Sequence, residues 1–170
     1  MMKKFFLSAA AALFLTFSMN AQKVAIIDIT QVLNSLPAYK TAQEDLDKVA
    51  TKWRSEIAAQ QDAIKGMYGK YQAEQVLLSD DARKQREEEI TNKEKEVREM
   101  QRAKFGPEGE LFKKRQELVK PLQDKVYATI ERFATEKGYD LILDKSSSAG
   151  IVYSNATFDK TQMIIDMVKK

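Results

Sequence analysis

The chain has no cysteine and no histidine. The first absence removes disulfides, thiolate metal sites, a sulfur nucleophile and any lipidated cysteine. The second removes the commonest general base and the commonest zinc ligand. There is no glycine-rich phosphate loop, and the acidic residues are spread along the chain rather than gathered in convergent pairs. Enzyme chemistry is left with little to work with, so the reading is a protein that is not an enzyme and takes no cofactor and no metal. An excess of one charge is lacking too, with 28 Lys and Arg against 25 Asp and Glu.

Long apolar runs are confined to the N-terminus. Lys3 and Lys4 precede the stretch Phe5 to Phe17, which is too short to span a bilayer comfortably. Small residues follow, and residues 1–21 read as a secretory signal cleaved after Ala21. The mature chain is then expected to be exported. Loss of Lys3 and Lys4 leaves 26 bases against 25 acids. A nearly neutral exported protein is a poor partner for nucleic acid, and none is expected.

The remaining sequence is dominated by helix. Leu46, Ala50, Trp53, Ile57, Gln60, Ile64, Met67, Tyr71, Glu74 and Leu78 recur at alternating spacings of four and three. That is the heptad seam of one helix lying along another. A first long helix is predicted from Pro37, which suits a first turn, to about Leu78. Its roughly 40 residues would extend about 60 Å, longer than any core a chain of this size can build, so most of it must project. Ser79, Asp80 and Asp81 signal reversal and the cap of a second helix running to Lys137. That helix is sparsely apolar near the tip, with Ile90, Val97 and Met100 as its only sizeable groups up to Lys104. Gly66 and Gly69 soften the first helix, and Gly106-Pro107-Glu108-Gly109 is expected to kink the second. Pro121 is a further kink candidate.

Short apolar runs flank this arm. Lys23–Ile29 (KVAIIDI), Tyr139–Leu143 and Ile151–Tyr153 read as strands. Thr30 is a candidate cap for a short helix through Ser35, Gly138 a left-handed helix stop, and Asp159 with Gln162 a capping box for a last helix, Thr161–Val168. Three short strands and a few helices make a marginal core with open edges. The economical solution is a sheet shared between subunits, with Val24, Ile26, Leu141, Leu143, Ile151 and Tyr153 as candidate oligomerisation residues. The fold class is α+β and mostly helical. Residues 22–36 and 119–170 form a β-containing body, and residues 37–118 a helical hairpin arm with its tip near 78–81 and its kink near 106–109.

The strand KVAIIDI, the long charged hairpin and the closing cassette ERFATEKGYDLILDKSSSAGIVYSNATFDKTQMIIDMVKK resemble the Skp/OmpH family of periplasmic chaperones. The specific part is KGYDLILDKSS followed by IVYS and the Asp-Lys-Thr start of the last helix, and the segment GPEGELFKKRQELVKP is similar to a Bacteroidetes-like branch. The resemblance implies a location in the periplasm and a homotrimer whose strands form a shared barrel-like body. Three arms would enclose a cavity in which unfolded outer-membrane β-barrel proteins are held without ATP and passed on for assembly. Enterobacterial members are strongly basic and this chain is not, so no lipopolysaccharide site is carried over; membrane lipid is expected only as a peripheral contact.

Such an arm offers weak, redistributable apolar contacts. Trp53, Ile57, Ile64, Met67, Tyr68, Tyr71 and Leu77 are the candidates. Ile57, Ile64 and Tyr71 belong to the seam, and Trp53 to the seam or the junction of arm and body. Tyr68 and Leu77 fall off the stripe and are the better client-side residues, with Met67 and Trp53 behind them. A different class of protein, a periplasmic coiled-coil spacer or scaffold, would need a sustained heptad on both helices. The sparse second helix argues against it.

Overall fold

The computed structural model describes residues 22–147 and 150–170; the expected leader lies outside them. Strand β1 (Val24–Ile27) buries Ala25, Ile26 and Ile27. Asp28 ends it in extended backbone and caps α1 (Ile29–Asn34), its carboxylate accepting from the Gln31 N–H at 2.7 Å. The cap is therefore Asp28 and not Thr30. Helix α2 (Pro37–Glu74) opens on Pro37, where a missing N–H costs no hydrogen bond. It stops four residues before the expected Leu78, because the chain needs residues 75–79 to turn and Ser79 must be extended to cap α3 (Asp80–Phe105). The Ser79 hydroxyl accepts from the Ala82 N–H. Asp80 and Asp81 at the start of α3, and Arg102 and Lys104 at its end, complement the helix dipole.

Residues 106–109 separate α3 from α4 (Glu110–Lys137), so the second rod is two helices and not one kinked helix. Pro107 lies between them and interrupts no ladder, whereas Pro121 sits inside α4 without ending it. Both glycines of the break are sterically required. A Cβ on Gly106 would lie 2.4 Å from the Arg102 carbonyl oxygen, and one on Gly109 2.8 Å from that of Ala103. By contrast α2 runs unbroken through Gly66 and Gly69. Helix α4 ends at Gly138 in left-handed backbone (φ 64°).

Strand β2 (Leu141–Asp144) pairs in parallel with β1, Val24 opposite Leu141 and Ile27 opposite Asp144. A 3-10 turn (Ala156–Phe158) and α5 (Thr161–Val168) complete the described chain. The expected third strand is not formed. Ile151–Tyr153 has no ladder partner: the other edge of β1 is taken at Ile26 by Asp159 and by the Lys160 N–H, and the segment does not pair with β2. The capping box is half formed: Asp159 accepts from the Thr161 N–H, but Gln162 reaches forward to Asp166.

Apolar residues gather in three places along the molecule. Ile27, Val32, Leu33 and Leu36 meet Val126, Phe133, Ile164, Ile165 and Val168 in the body. Ala42 and Leu46 meet Val119 at the root of the arm. Ile57 and Ile64 meet Ile90 and Val97 farther out. At about 1.5 Å per residue, the 38 residues of α2 make a rod of about 57 Å.

Candidate binding surfaces of the arm and body

The arm is held by a seam that thins outward. Leu46, Ala50, Trp53, Ile57 and Ile64 are buried, Met67, Tyr71 and Leu78 half-buried, and Gln60 and Glu74 exposed. Trp53 lies inside the seam, edge-on to Phe105 with ring centroids 6.1 Å apart. Met67 packs against the distal cluster. Trp53 presents no free apolar surface, and Met67 only part of its side chain.

Tyr68 is off the stripe and 42% exposed, yet its hydroxyl donates to Glu94 of α3 at 3.0 Å. Tyr71 donates in the same way to Glu87. These bonds raise both phenol pKa values, since the neutral hydroxyl is the donor. Tyr68 thus shows its ring to solvent while its oxygen ties the hairpin. The two glutamates were not singled out from sequence. The signal available was spacing: each tyrosine and its glutamate stand at nearly equal distances from the turn.

The tip carries the most exposed aliphatic surface of the arm. Leu77 is 83% exposed and Val76 80%. Val76 escaped the sequence reading because heptad spacing says nothing about a turn. Along α4, Phe112, Leu118 and Tyr127 are also exposed, on different faces of the helix.

The body has a second uncovered region. Ala25 and Ile26 are buried and Val24, Leu143 and Ile151 half-buried, while Leu141 and Tyr153 are exposed. Val152, next to them, is 99% exposed. Of the six candidate oligomerisation residues, Ile26 belongs to the interior of the single chain, and Leu141 and Tyr153 face out. Among the described residues, no strand pairs with the far edge of β2.

Carboxylates stitch this region together. Asp144, at the end of β2, accepts from the Ile29 N–H, the Ser146 N–H and the Ser146 hydroxyl. Partial burial pushes its pKa up, but these bonds outweigh it and hold it below the usual range. Asp159 likewise resists partial burial through the Lys145 ammonium at 2.7 Å and the bonds from Thr161, and its pKa is lowered to about 2.

A small α/β body carrying a long, thinly seamed helical hairpin with apolar groups bare at its tip defines an arm-bearing binding protein. The chain belongs to the OmpH-like outer membrane protein family, whose model matches residues 23–168. Among relatives, the protein named Chaperone protein Skp of Photorhabdus luminescens is 25% identical over 176 residues, covering 99% of this chain and 100% of that protein. Chaperone protein Skp of Yersinia enterocolitica is 22% identical over 175 residues, with the same coverage. The crystal structure of an OmpH-like protein from Caulobacter crescentus CB15 shares the fold, with a TM-score of 0.66 at 14% identity over 90% of this chain and 87% of that one.

Proposed function

We propose that the protein is an ATP-independent holdase chaperone of the periplasm, exported by a cleaved leader (residues 1–21), that binds unfolded outer-membrane β-barrel proteins and aids their delivery. The observation that carries this reading is the pairing of a weakly cored arm with bare aliphatic groups at its end: Val76 and Leu77 leave about four-fifths of their surface to solvent. An uninserted barrel exposes alternating apolar residues, and mobile rods meet them with many weak contacts. Family membership and the chaperone names of the relatives support it.

The working assembly is a homotrimer. Residues 22–36 and 119–170 supply its shared body and residues 37–118 one arm per subunit. The unpaired β2 edge, with Leu141, Val152 and Tyr153 uncovered, is what a neighbouring subunit would cover. Membrane lipid is at most a peripheral contact.

The test is suppression of aggregation of an unfolded porin-like barrel by the mature protein without nucleotide. Val76→Ser with Leu77→Ser removes two apolar groups, each worth about 1.5–3 kcal/mol if fully buried on a client, and should weaken suppression while mass and helicity stay unchanged. Tyr68→Phe keeps the ring and loses only the bond to Glu94, and should suppress as well as wild type, whereas Tyr68→Ser should not. Full activity of the double serine variant would refute the tip as a client surface. Loss of binding in moderate salt would show that the contact is electrostatic and not apolar.

A further inference from the structure

The break at 106–109 has almost no backbone structure of its own. The Gly106 N–H bonds back to Arg102 and the Gly109 N–H to Gly106, and the α4 ladder resumes at Lys113 with its bond to Gly109. The angle between α3 and α4 is then set by the packing of each on α2 and by the side chains around the break. One residue reaches three helices there. The Lys104 ammonium, on α3, lies 2.8 Å from each carboxylate oxygen of Glu110 on α4, and 4.7 Å from the centroid of the Trp53 ring on α2. Among the described residues, Lys104–Glu110 is the only side-chain hydrogen bond that spans the break. The Lys104 side chain is 24% exposed and Glu110's 49%, so the ammonium is partly sheltered, the carboxylate is exposed, and the pair is within reach of salt.

We infer that Lys104 is an electrostatic clasp that fixes the elbow of the arm, and that ionic strength loosens it. The ring face and the carboxylate attract one cation from two sides, so removing the charge unties α4 from α3 and weakens the hold of α3 on α2 at once, while α4 keeps its packing on α2 through Ala42, Leu46 and Val119. Packing is not the clasp: the aliphatic stem of Lys104 would remain on the ring if only the charge were lost. The inference concerns the shape of the arm without a client, so its failure would leave the chaperone reading standing.

The experiment uses the full mature protein. Trp53 is the single tryptophan, so its emission and iodide quenching report on the clasp directly, while amide hydrogen exchange over residues 105–112 reports on the elbow. Wild type should exchange about three- to tenfold faster there in near-molar salt than in low salt, the size of one partly exposed ion pair with a cation–π contact. Lys104→Met should be fast at both salt levels, with a shifted Trp53 emission. Lys104→Arg should stay close to wild type and keep its salt dependence. Glu110→Gln, which leaves every residue of α2 and α3 in place, should loosen the elbow part-way and settles the matter if the methionine variant does not assemble. The clasp is overturned if salt leaves wild-type exchange unchanged, if Lys104→Met matches wild type at low salt, or if Glu110→Gln does nothing.

Discussion

Asp159 holds the start of α5 with one carboxylate oxygen and the Lys145 side chain with the other. Its pKa falls from 3.8 to about 2 on folding, so the folded state favours the ionised form. That stabilisation is complete above the unfolded value near 3.8 and is lost as pH falls through about 2. After discounting for partial exposure it amounts to about 1–2 kcal/mol. Asp159→Asn should cost that much at neutral pH and flatten the acid limb of a stability–pH curve from urea unfolding; an unchanged limb would contradict the assignment. Asp159 was legible as a cap because it stands two residues before the apolar repeat of α5. Its partner Lys145 was not, since nothing in a serine-rich loop says which way a lysine folds. The same holds for Tyr68: spacing put it off the seam, but only three dimensions show its hydroxyl on Glu94.

At the scale of elements, the distal hairpin rests on four buried aliphatics, with Ile90 only 1% exposed. Ile90→Ala should destabilise that stretch by about 2–4 kcal/mol, raising amide exchange between residues 79 and 97 while the exchange of β1 and β2 stays slow. Uniform protection from tip to body would instead favour a rigid spacer. The heptad was readable because seven-residue periodicity survives in any register. The break was read too mildly, as a kink. A proline announces a fault, but the two close approaches that demand Gly106 and Gly109 belong to the folded backbone. Ile151–Tyr153 reads as a strand from composition alone, but composition does not say whether the chain is brought alongside an edge: Asp159 and Lys160 take the open side of β1, and the segment pairs with neither strand of the sheet.

For the whole molecule, the proposed trimer places the uncovered β2 edge between subunits. Leu141→Asp or Ile151→Asp should lower the native mass from trimer to monomer in sedimentation, because a lone charge would be buried at that edge; a wild-type monomer with a complete fold would remove the shared body altogether. The parallel pairing of β1 with β2 has another consequence, for how the chain finds its shape. Lys23 and Asp140, which meet at the head of that pair, stand 117 residues apart in sequence. Closing a loop of that length at random is entropically costly and slow. The hairpin between them shortens the search. Its turn is local, and as the two rods zip from the tip inward they carry the strands toward each other, so the distance the chain must close by chance shrinks to the few residues at the root. The arm proposed to hold client chains would then also be the splint on which its own body is assembled.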